Sequence, residues 1–296
     1  ESQTTKPGLE AVKEHIGDVF VESNGAIVFK GEEHGLHTRV FITEEGIPTY
    51  EAKDVGLILE KKKDYDFDRS VIITGNEQMQ YMEVVLKAVE QFAPELAQST
   101  THMTHGIVKL KGGVKMSSRK GNILRAVDVL DTASEANKQA TGKDDEGVVL
   151  AAVKYSFLKQ RLGGDIIYDP AESVAIEGNS GPYIQYAHAR ARSILRKSGD
   201  DKPLENSQSE LEEGERSLLQ KIGEYTEVVE KAVDELMPHH ICTYLYELAQ
   251  VFNGFYERNR VIGDDRQDLR LRLIISYADT LKSGLKILGI HAPEEM

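Results

Sequence analysis

Thiol and indole side chains are almost missing from this sequence: its 296 residues include one cysteine, Cys242, and no tryptophan. A single cysteine excludes an internal disulfide and any CxxC metal knuckle, so a reducing, cytoplasmic setting is expected. No apolar run approaches the roughly 18 residues a membrane helix needs, and no charged-then-apolar leader opens the text, so neither a membrane nor secretion is expected. Positive charge is also in deficit, with 36 Lys and Arg against 49 Asp and Glu and a formal net charge of -13. Affinity for a phosphate backbone follows local Lys and Arg contacts, so indiscriminate nucleic-acid binding is excluded and DNA is not an expected partner. A starting methionine is absent too. The text enters directly on ESQTTKPGLEAVKEHIGDVF, which is the expected look of a piece of a longer chain.

What is present changes character along the chain, and the length allows two domains with separate cores. GAIVFK and TRVFIT are short β-rich runs, the second followed by the turn EEGIP, which predicts a hairpin or small antiparallel ribbon. RSVIITGNEQ is a β-branched run ending at Gly75, after which Met79, Met82, Val85, Leu86 and Val89 take up helical spacing. That is half of a βαβ unit, with Gly75 at the strand end where open α/β sheets bind ligands. HGIVKLKGGVKMSS predicts another strand, a Gly-Gly turn and a loop. From NSGPYIQYAHARARSILRK onward the pattern is helical. Leu218, Ile222, Tyr225, Val229, Ala232 and Leu236 form one apolar stripe; Ile241, Leu245, Leu248, Phe252 and Phe255 form a second; Ile274, Ala278, Leu281, Leu285 and Leu288 form a third. Such stripes predict packed antiparallel helices. KSGDDKPLENSQSELEEGE reads as a surface loop. Asp169-Pro170 interrupts regular structure and sets the expected boundary, giving domains 1–170 and 171–296.

One loop runs against the acidic background. Between Lys109 and Arg125 stand Lys109, Lys111, Lys115, Arg119, Lys120 and Arg125, with no Asp or Glu among them. A short Lys-rich loop is by default a solvated turn. Here small residues also admit close backbone approach, and Ser117 and Ser118 add hydroxyls, a combination suited to phosphate oxygens. The string KMSSRKGN resembles the KMSKS signature of class I aminoacyl-tRNA synthetases. That resemblance implies ATP, with Mg2+, as a substrate, clamped by Lys115, Ser117, Ser118, Arg119 and Lys120, with Met116, Gly75 and His105 in the ATP site. Lys115 matches the signature's first lysine. Ser118 and Arg119 depart from its last two letters, which leaves Arg119 and Lys120 as candidates for the second lysine's charge.

Three further segments resemble the arginyl branch of that family: PTYEAKD, EGNSGPYIQYAHARARSIL and the closing LKILGIHAPEEM. The resemblance implies an α/β Rossmann-like catalytic half (class I synthetase, partial) followed by an all-α helical bundle that binds the anticodon. It implies arginine, ATP and tRNA(Arg) as partners, a monomer, and no tightly bound protein metal. Tyr50, Asp54 and Gln78 are the expected arginine ligands. A helix starting after Pro48 puts Tyr50 and Asp54 on one face, and a carboxylate suits a planar guanidinium; spacing alone would equally describe a solvated first turn.

Tyr183, Tyr186, Arg190, Arg192 and Arg196 are expected to meet tRNA, with Arg258 and Arg260 as a second patch, because aromatic rings stack on unpaired bases while arginines hold phosphates. The competing reading is an amphipathic helix with Ile184, Ala187, Ala191, Ile194 and Leu195 in the core and the arginines solvated. His239, His240 and Cys242 are adjacent rather than spaced for a metal, and are expected to be helix-start and core residues. The family's first signature, HIGH, is approached by His15-Ile16-Gly17-Asp18, expected to be a decoy because no β-rich strand precedes it. The true signature is then expected upstream of Glu1, and this chain alone is expected not to activate arginine. A lysine-specific synthetase and a non-catalytic tRNA-binding module derived from a synthetase remain the alternatives.

Overall fold

The computed structural model describes residues 2–112, 125–199 and 210–296. The loop residues Lys115, Met116, Ser117, Ser118, Arg119 and Lys120 lie outside them, as does most of the polar stretch before residue 210. The backbone divides into two units, Glu1–Ile107 and Val108–Met296.

In the first unit, helices α1 (Ser2–Glu14) and α2 (Tyr50–Tyr65) cross at two glycines. A Cβ on Gly8 would lie 1.9 Å from the Ala52 carbonyl oxygen, and one on Gly56 would lie 2.3 Å from that of Thr4. Only hydrogen at both positions allows this backbone-to-backbone approach. Strands β1 (Val21–Ser23), β2 (Ala26–Phe29) and β3 (Arg39–Ile42) form an antiparallel sheet in that order. The β2 and β3 pairing is the ribbon expected from GAIVFK and TRVFIT. Strand β1 joins through Asn24-Gly25, both at positive φ (50° and 82°), the conformation that a tight hairpin turn demands. Phe20, Phe29 and Phe41 pack under this sheet, with the Phe20 and Phe41 ring centroids 4.9 Å apart.

Next comes the βαβ unit. Strand β4 (Ser70–Gly75) leads through a 3-10 turn (Asn76–Gln78) into α3 (Met79–Phe92) and the short α4 (Pro94–Gln98). Strand β5 (Thr100–His105) returns parallel to β4, in register from Ser70 opposite Thr100 to Gly75 opposite His105. Met82, Val85 and Val89 are buried as the helical spacing requires, whereas Met79, on the first turn, is exposed. His15 follows helix α1, not a strand; its ring stacks on Phe92 at 4.4 Å and its Nδ1 lies 3.2 Å from the Asp18 carboxylate. The HIGH-like tetrapeptide is therefore a structural turn.

The second unit begins with parallel strands β6 (Val108–Leu110) and β7 (Ile166–Tyr168), and between them run α5 (Ala126–Thr141) and α6 (Glu146–Leu158). The Asp169 side chain accepts hydrogen bonds from the Ala171 and Glu172 N–H groups, capping the short α7 (Pro170–Ser173). Ser180 caps α8 (Gly181–Ser198) in the same way through Tyr183 N. α9 (Glu213–Gly223), α10 (Tyr225–Asp234), α11 (His239–Arg258) and α12 (Gln267–Ile287) complete the bundle. Leu218, Leu245, Leu248, Phe252, Ile274, Tyr277 and Leu281 are fully buried at its centre.

The stripe from Leu218 to Leu236 is not one helix. It breaks between α9 and α10 at Glu224, the Tyr244 hydroxyl donates to the Lys221 carbonyl at 2.8 Å, and Leu236 leaves α10 at φ 55°. Gly223 weakens the helix where a hydroxyl takes one of the carbonyls freed there. The break rotates the second half, so that Val228 and Ala232 pack on the core. His239 opens α11, and Cys242 is fully buried, with its thiol pushed up to about 12 by burial.

Candidate active site and RNA-binding face

In the first unit Asp54 lies one helical turn inside α2, half-buried, with the Tyr81 hydroxyl of α3 donating to its Oδ2 at 2.5 Å. Burial raises its pKa above the ordinary carboxylate value, opposed by the Tyr81 hydrogen bond and reinforced by Glu51. Among the described residues no cation pairs with it. Arg39 is engaged elsewhere: its Nη1, on β3, sits 3.1 Å from Glu51 Oε1, with its guanidinium 5.3 Å from the Tyr81 ring centroid. A half-buried carboxylate held by a neutral donor, with no counter-ion among the described residues, has the chemistry to accept a cationic ligand group.

Tyr50, at the first position of α2, is 68% exposed; its ring meets Lys53 Nζ at 5.0 Å rather than Asp54. Gln78 is exposed at the start of α3. Gly75 and His105 are register partners at the carboxyl ends of the parallel strands β4 and β5. The two ATP-site residues proposed on either side of α3 are thus neighbours on the edge where open α/β sheets bind ligands. His105 Nδ1 donates to the Gly106 carbonyl at 2.9 Å. Sequence reasoning did not find Tyr81 or Arg39. The signal available was weak: Tyr81 follows Gln78 by one helical turn.

The loop that resembles KMSKS is flanked by described residues. Lys109 lies 2.5 Å from Asp165, Lys111 lies 2.7 Å from Asp169, and Arg125 lies 2.6 Å from Asp128. Half of the stretch's cations are therefore matched by carboxylates at the loop's two ends. Lys111 in turn holds the Asp169 carboxyl below its usual range. The stretch's other three cations, Lys115, Arg119 and Lys120, lie outside the described residues.

On the bundle, the α8 positions separate into two groups. Tyr183 faces inward, its hydroxyl accepting from Asn253 Nδ2 at 2.9 Å. Tyr186 is 37% exposed; the Arg190 guanidinium lies 4.8 Å from its ring centroid, and Arg190 Nη1 donates to Asn253 Oδ1 at 3.0 Å. Arg192 and Arg196 hold the last residues: Arg192 Nε donates to Glu294 Oε2 at 2.5 Å, and Arg196 Nη1 to the Glu294 carbonyl at 2.9 Å. Buried Gln185 and His188 bind the same segment, through the carbonyls of His291 and Pro293 at 2.8 Å each.

The result is a cleft of about 640 Å³ between α8, α11 and the closing segment, lined among others by Tyr186, Arg190, Lys197, Tyr256 and Met296. Tyr256, two residues before Arg258 in α11, is 40% exposed there. Arg258 is exposed at a second hollow beside the α9 N-terminus. Arg260 bends back to donate to the Ile262 carbonyl at 3.0 Å. His240 pairs with Glu235 at 2.6 Å.

Comparison with known proteins identifies the family. Residues 4–168 match the family described as tRNA synthetases class I (R), catalytic domain, and residues 184–296 match the DALR anticodon binding domain. The arginine–tRNA ligase of Streptococcus equi subsp. equi (strain 4047) is 33% identical over 97% of this chain and 54% of its own length. That of Porphyromonas gingivalis (strain W83) is 31% identical over 100% of this chain and 53% of its own. Among solved structures, Thermus thermophilus arginyl-tRNA synthetase superposes with a TM-score of 0.86 at 28% identity, covering 100% of this chain and 59% of that one. A Mycobacterium tuberculosis methionyl-tRNA synthetase, 17% identical with a TM-score of 0.56, shares the fold alone. The chain spans about half the length of the curated relatives it matches. Its catalytic-domain match covers more than half of its own residues, and the chain belongs to the arginyl branch of the class I aminoacyl-tRNA synthetases, with a class I catalytic portion followed by a helical DALR domain.

Proposed function

We propose that this chain supplies the arginine-selecting, ATP-clamping half of an arginine–tRNA ligase together with its anticodon-reading domain. The observation that carries the reading is Asp54, a half-buried carboxylate with no cation paired to it among the described residues, in the segment that resembles the arginine motif. The parent reaction joins the arginine carboxylate to the α-phosphorus of ATP with release of pyrophosphate, then moves the arginyl group to the 3′ end of tRNA(Arg). Asp54 pairs with the substrate guanidinium, Tyr50 covers it, and Gln78 holds the polar end of the amino acid. A guanidinium brings a planar set of donors to the Asp54 oxygen that Tyr81 leaves open, which favours arginine over lysine.

Gly75 and His105, on the strand ends, border the adenosine. Lys115, Met116, Ser117, Ser118, Arg119 and Lys120 embrace Mg-ATP phosphates and stabilise the charge that grows on the departing pyrophosphate. The substrate's own carboxylate is the nucleophile, so positioning and charge stabilisation suffice and no protein base is required. These groups complete a site only with the other half of the class I fold, and the chain alone does not activate arginine. The division of labour falls near residue 170, supported by the separate spans of the catalytic and anticodon families. A reducing cytoplasm suits the lone buried Cys242.

The bundle cleft receives an unpaired anticodon nucleotide: Tyr186 and Tyr256 offer ring faces, while Arg190 and Lys197 meet phosphate. Arg192 and Arg196 shape the cleft by holding the closing segment, and Arg258 meets phosphate from the neighbouring hollow. The test is a titration of this chain, at fixed salt, with an arginine-tRNA transcript, its anticodon-altered variant and a lysine-tRNA transcript. The arginine transcript should bind more tightly than the other two. Tyr186→Ala should weaken it by about 1–3 kcal/mol, roughly 5- to 150-fold, and shrink that preference. Equal, salt-sensitive binding of all three would remove the anticodon-reading role.

A further inference from the structure

The Asp54 site contains a device that neither composition nor motif announces. Asp54 accepts from the Tyr81 hydroxyl through Oδ2, and Oδ1 has no hydrogen-bond donor among the described residues. Burial alone would keep such a carboxyl protonated past the usual carboxylate range, in which state it would repel nothing and attract little. The groups facing it come from three elements: Glu51 on its own helix, Tyr81 on α3, and Arg39 on β3, which bonds Glu51 and lies against the Tyr81 ring. Arg39 pairs with Glu51, whose charge still adds to the raised pKa of Asp54. The Tyr81 phenol is pushed far above its ordinary value by burial and by Asp54, so it remains a pure donor at every working pH.

We propose that Tyr81 is the positioning residue of the guanidinium site: its hydroxyl fixes one oxygen of Asp54 in the ionised form and leaves the other presented to the incoming arginine. This rests on the reading of Asp54 as the guanidinium ligand. The Arg39 cation over its ring and the Glu51 carboxylate behind Arg39 hold Tyr81 in that orientation, so β3, α2 and α3 together aim a single lone-pair edge. A lysine ammonium would gain the charge but not the matched planar edge, so the same arrangement sharpens selectivity between the two amino acids.

The test replaces Tyr81→Phe, which keeps the ring under Arg39 and removes only the donor. In the chain itself, the Asp54 carboxyl carbon is followed by NMR through a pH titration; it should titrate at higher pH in the variant, with Arg39 and Glu51 unaltered. In the catalytically complete enzyme, the KM for arginine should rise roughly ten- to a hundredfold, the scale of a hydrogen bond to a charged group, with the KM for ATP unmoved and the arginine defect deepening as pH falls. A merely structural tyrosine would shift neither the Asp54 titration nor the pH profile. An unmoved Asp54 titration, or equal losses for arginine and ATP, would overturn the assignment of Tyr81. Asp54→Asn is run beside it: an unchanged KM for arginine there would overturn the reading of Asp54 itself, whatever Tyr81 does.

Discussion

Glu215→Gln should destabilise the helical bundle by about 3–5 kcal/mol, the scale observed when one partner of a buried ion pair is removed. The Glu215 side chain is 0% exposed and both of its oxygens are fully used. Oε1 accepts from Arg266 Nε at 2.8 Å and Arg270 Nε at 2.9 Å; Oε2 accepts from Arg266 Nη2 at 2.5 Å and from the Glu212 N–H at 3.0 Å, the last closing a capping box at the start of α9. Arg270 is itself nearly buried and extends the network to Glu212 at 2.8 Å and to the Arg260 carbonyl at 2.5 Å. A glutamine keeps the shape but removes the charge that both guanidiniums face and places an NH2 against donors. Urea denaturation followed by circular dichroism measures the loss; an unchanged midpoint would show that the network contributes nothing net.

The pH dependence of this network has a definite sign. Burial alone would raise the Glu215 pKa, but the hydrogen bonds from Arg266, Glu212 N–H and Arg270 prevail and bring it to about 2. A folded pKa below the unfolded value of about 4.3 means stability present above that value and lost as pH falls toward 2. The acid limb of the wild-type stability curve between roughly pH 5 and 2 should therefore flatten in Glu215→Gln.

Asp54→Asn should have the opposite thermodynamic character. In the complete enzyme it should lower kcat/KM for arginine by about 2–5 kcal/mol, roughly 30- to 5,000-fold, because the substrate cation loses its buried counter-charge. The KM for ATP should stay as it was. The fold should not suffer: Asp54 has a raised pKa, so its charge is less favourable in the folded chain than in the unfolded one, and the neutral amide removes that charge. Equal or greater thermal stability alongside lost arginine use marks a group retained for ligand rather than for folding. A variant that unfolds, or that keeps its use of arginine, would remove Asp54 from the site.

Local signals carried much of this architecture. The spacing of Ile241, Leu245, Leu248, Phe252 and Phe255 is that of α11, and all five are buried. VIITG running into a helical stripe is β4 and α3. Strand β5 was invisible because TTHMTH has no apolar alternation; it is a strand because β4 supplies its hydrogen bonds. The break at Glu224 was equally hidden, since the Tyr244 hydroxyl that takes a carbonyl there comes from another helix.

The sites show the same division. Motif resemblance singled out Asp54 as a candidate, yet gave no sign of the partner of its Oδ2, which arrives from a different helix 27 residues later. Charge counting could not separate Lys109 and Lys111 from the other cations of the stretch, because their aspartates lie 56 and 58 residues downstream. Arg192 and Arg196 read as free cations until the fold brings Glu294 beside them. Periodicity and motifs report what a residue is next to in sequence; pairing across elements decides which charges are left over for a ligand.

The most direct test of the account is arginine-dependent ATP-pyrophosphate exchange, measured for this chain alone and for the chain joined to the first half of the class I fold. The predicted result is no exchange by the chain alone and exchange by the joined protein with arginine but not with lysine. Exchange by the chain alone, or exchange that lysine supports as well as arginine, would contradict it.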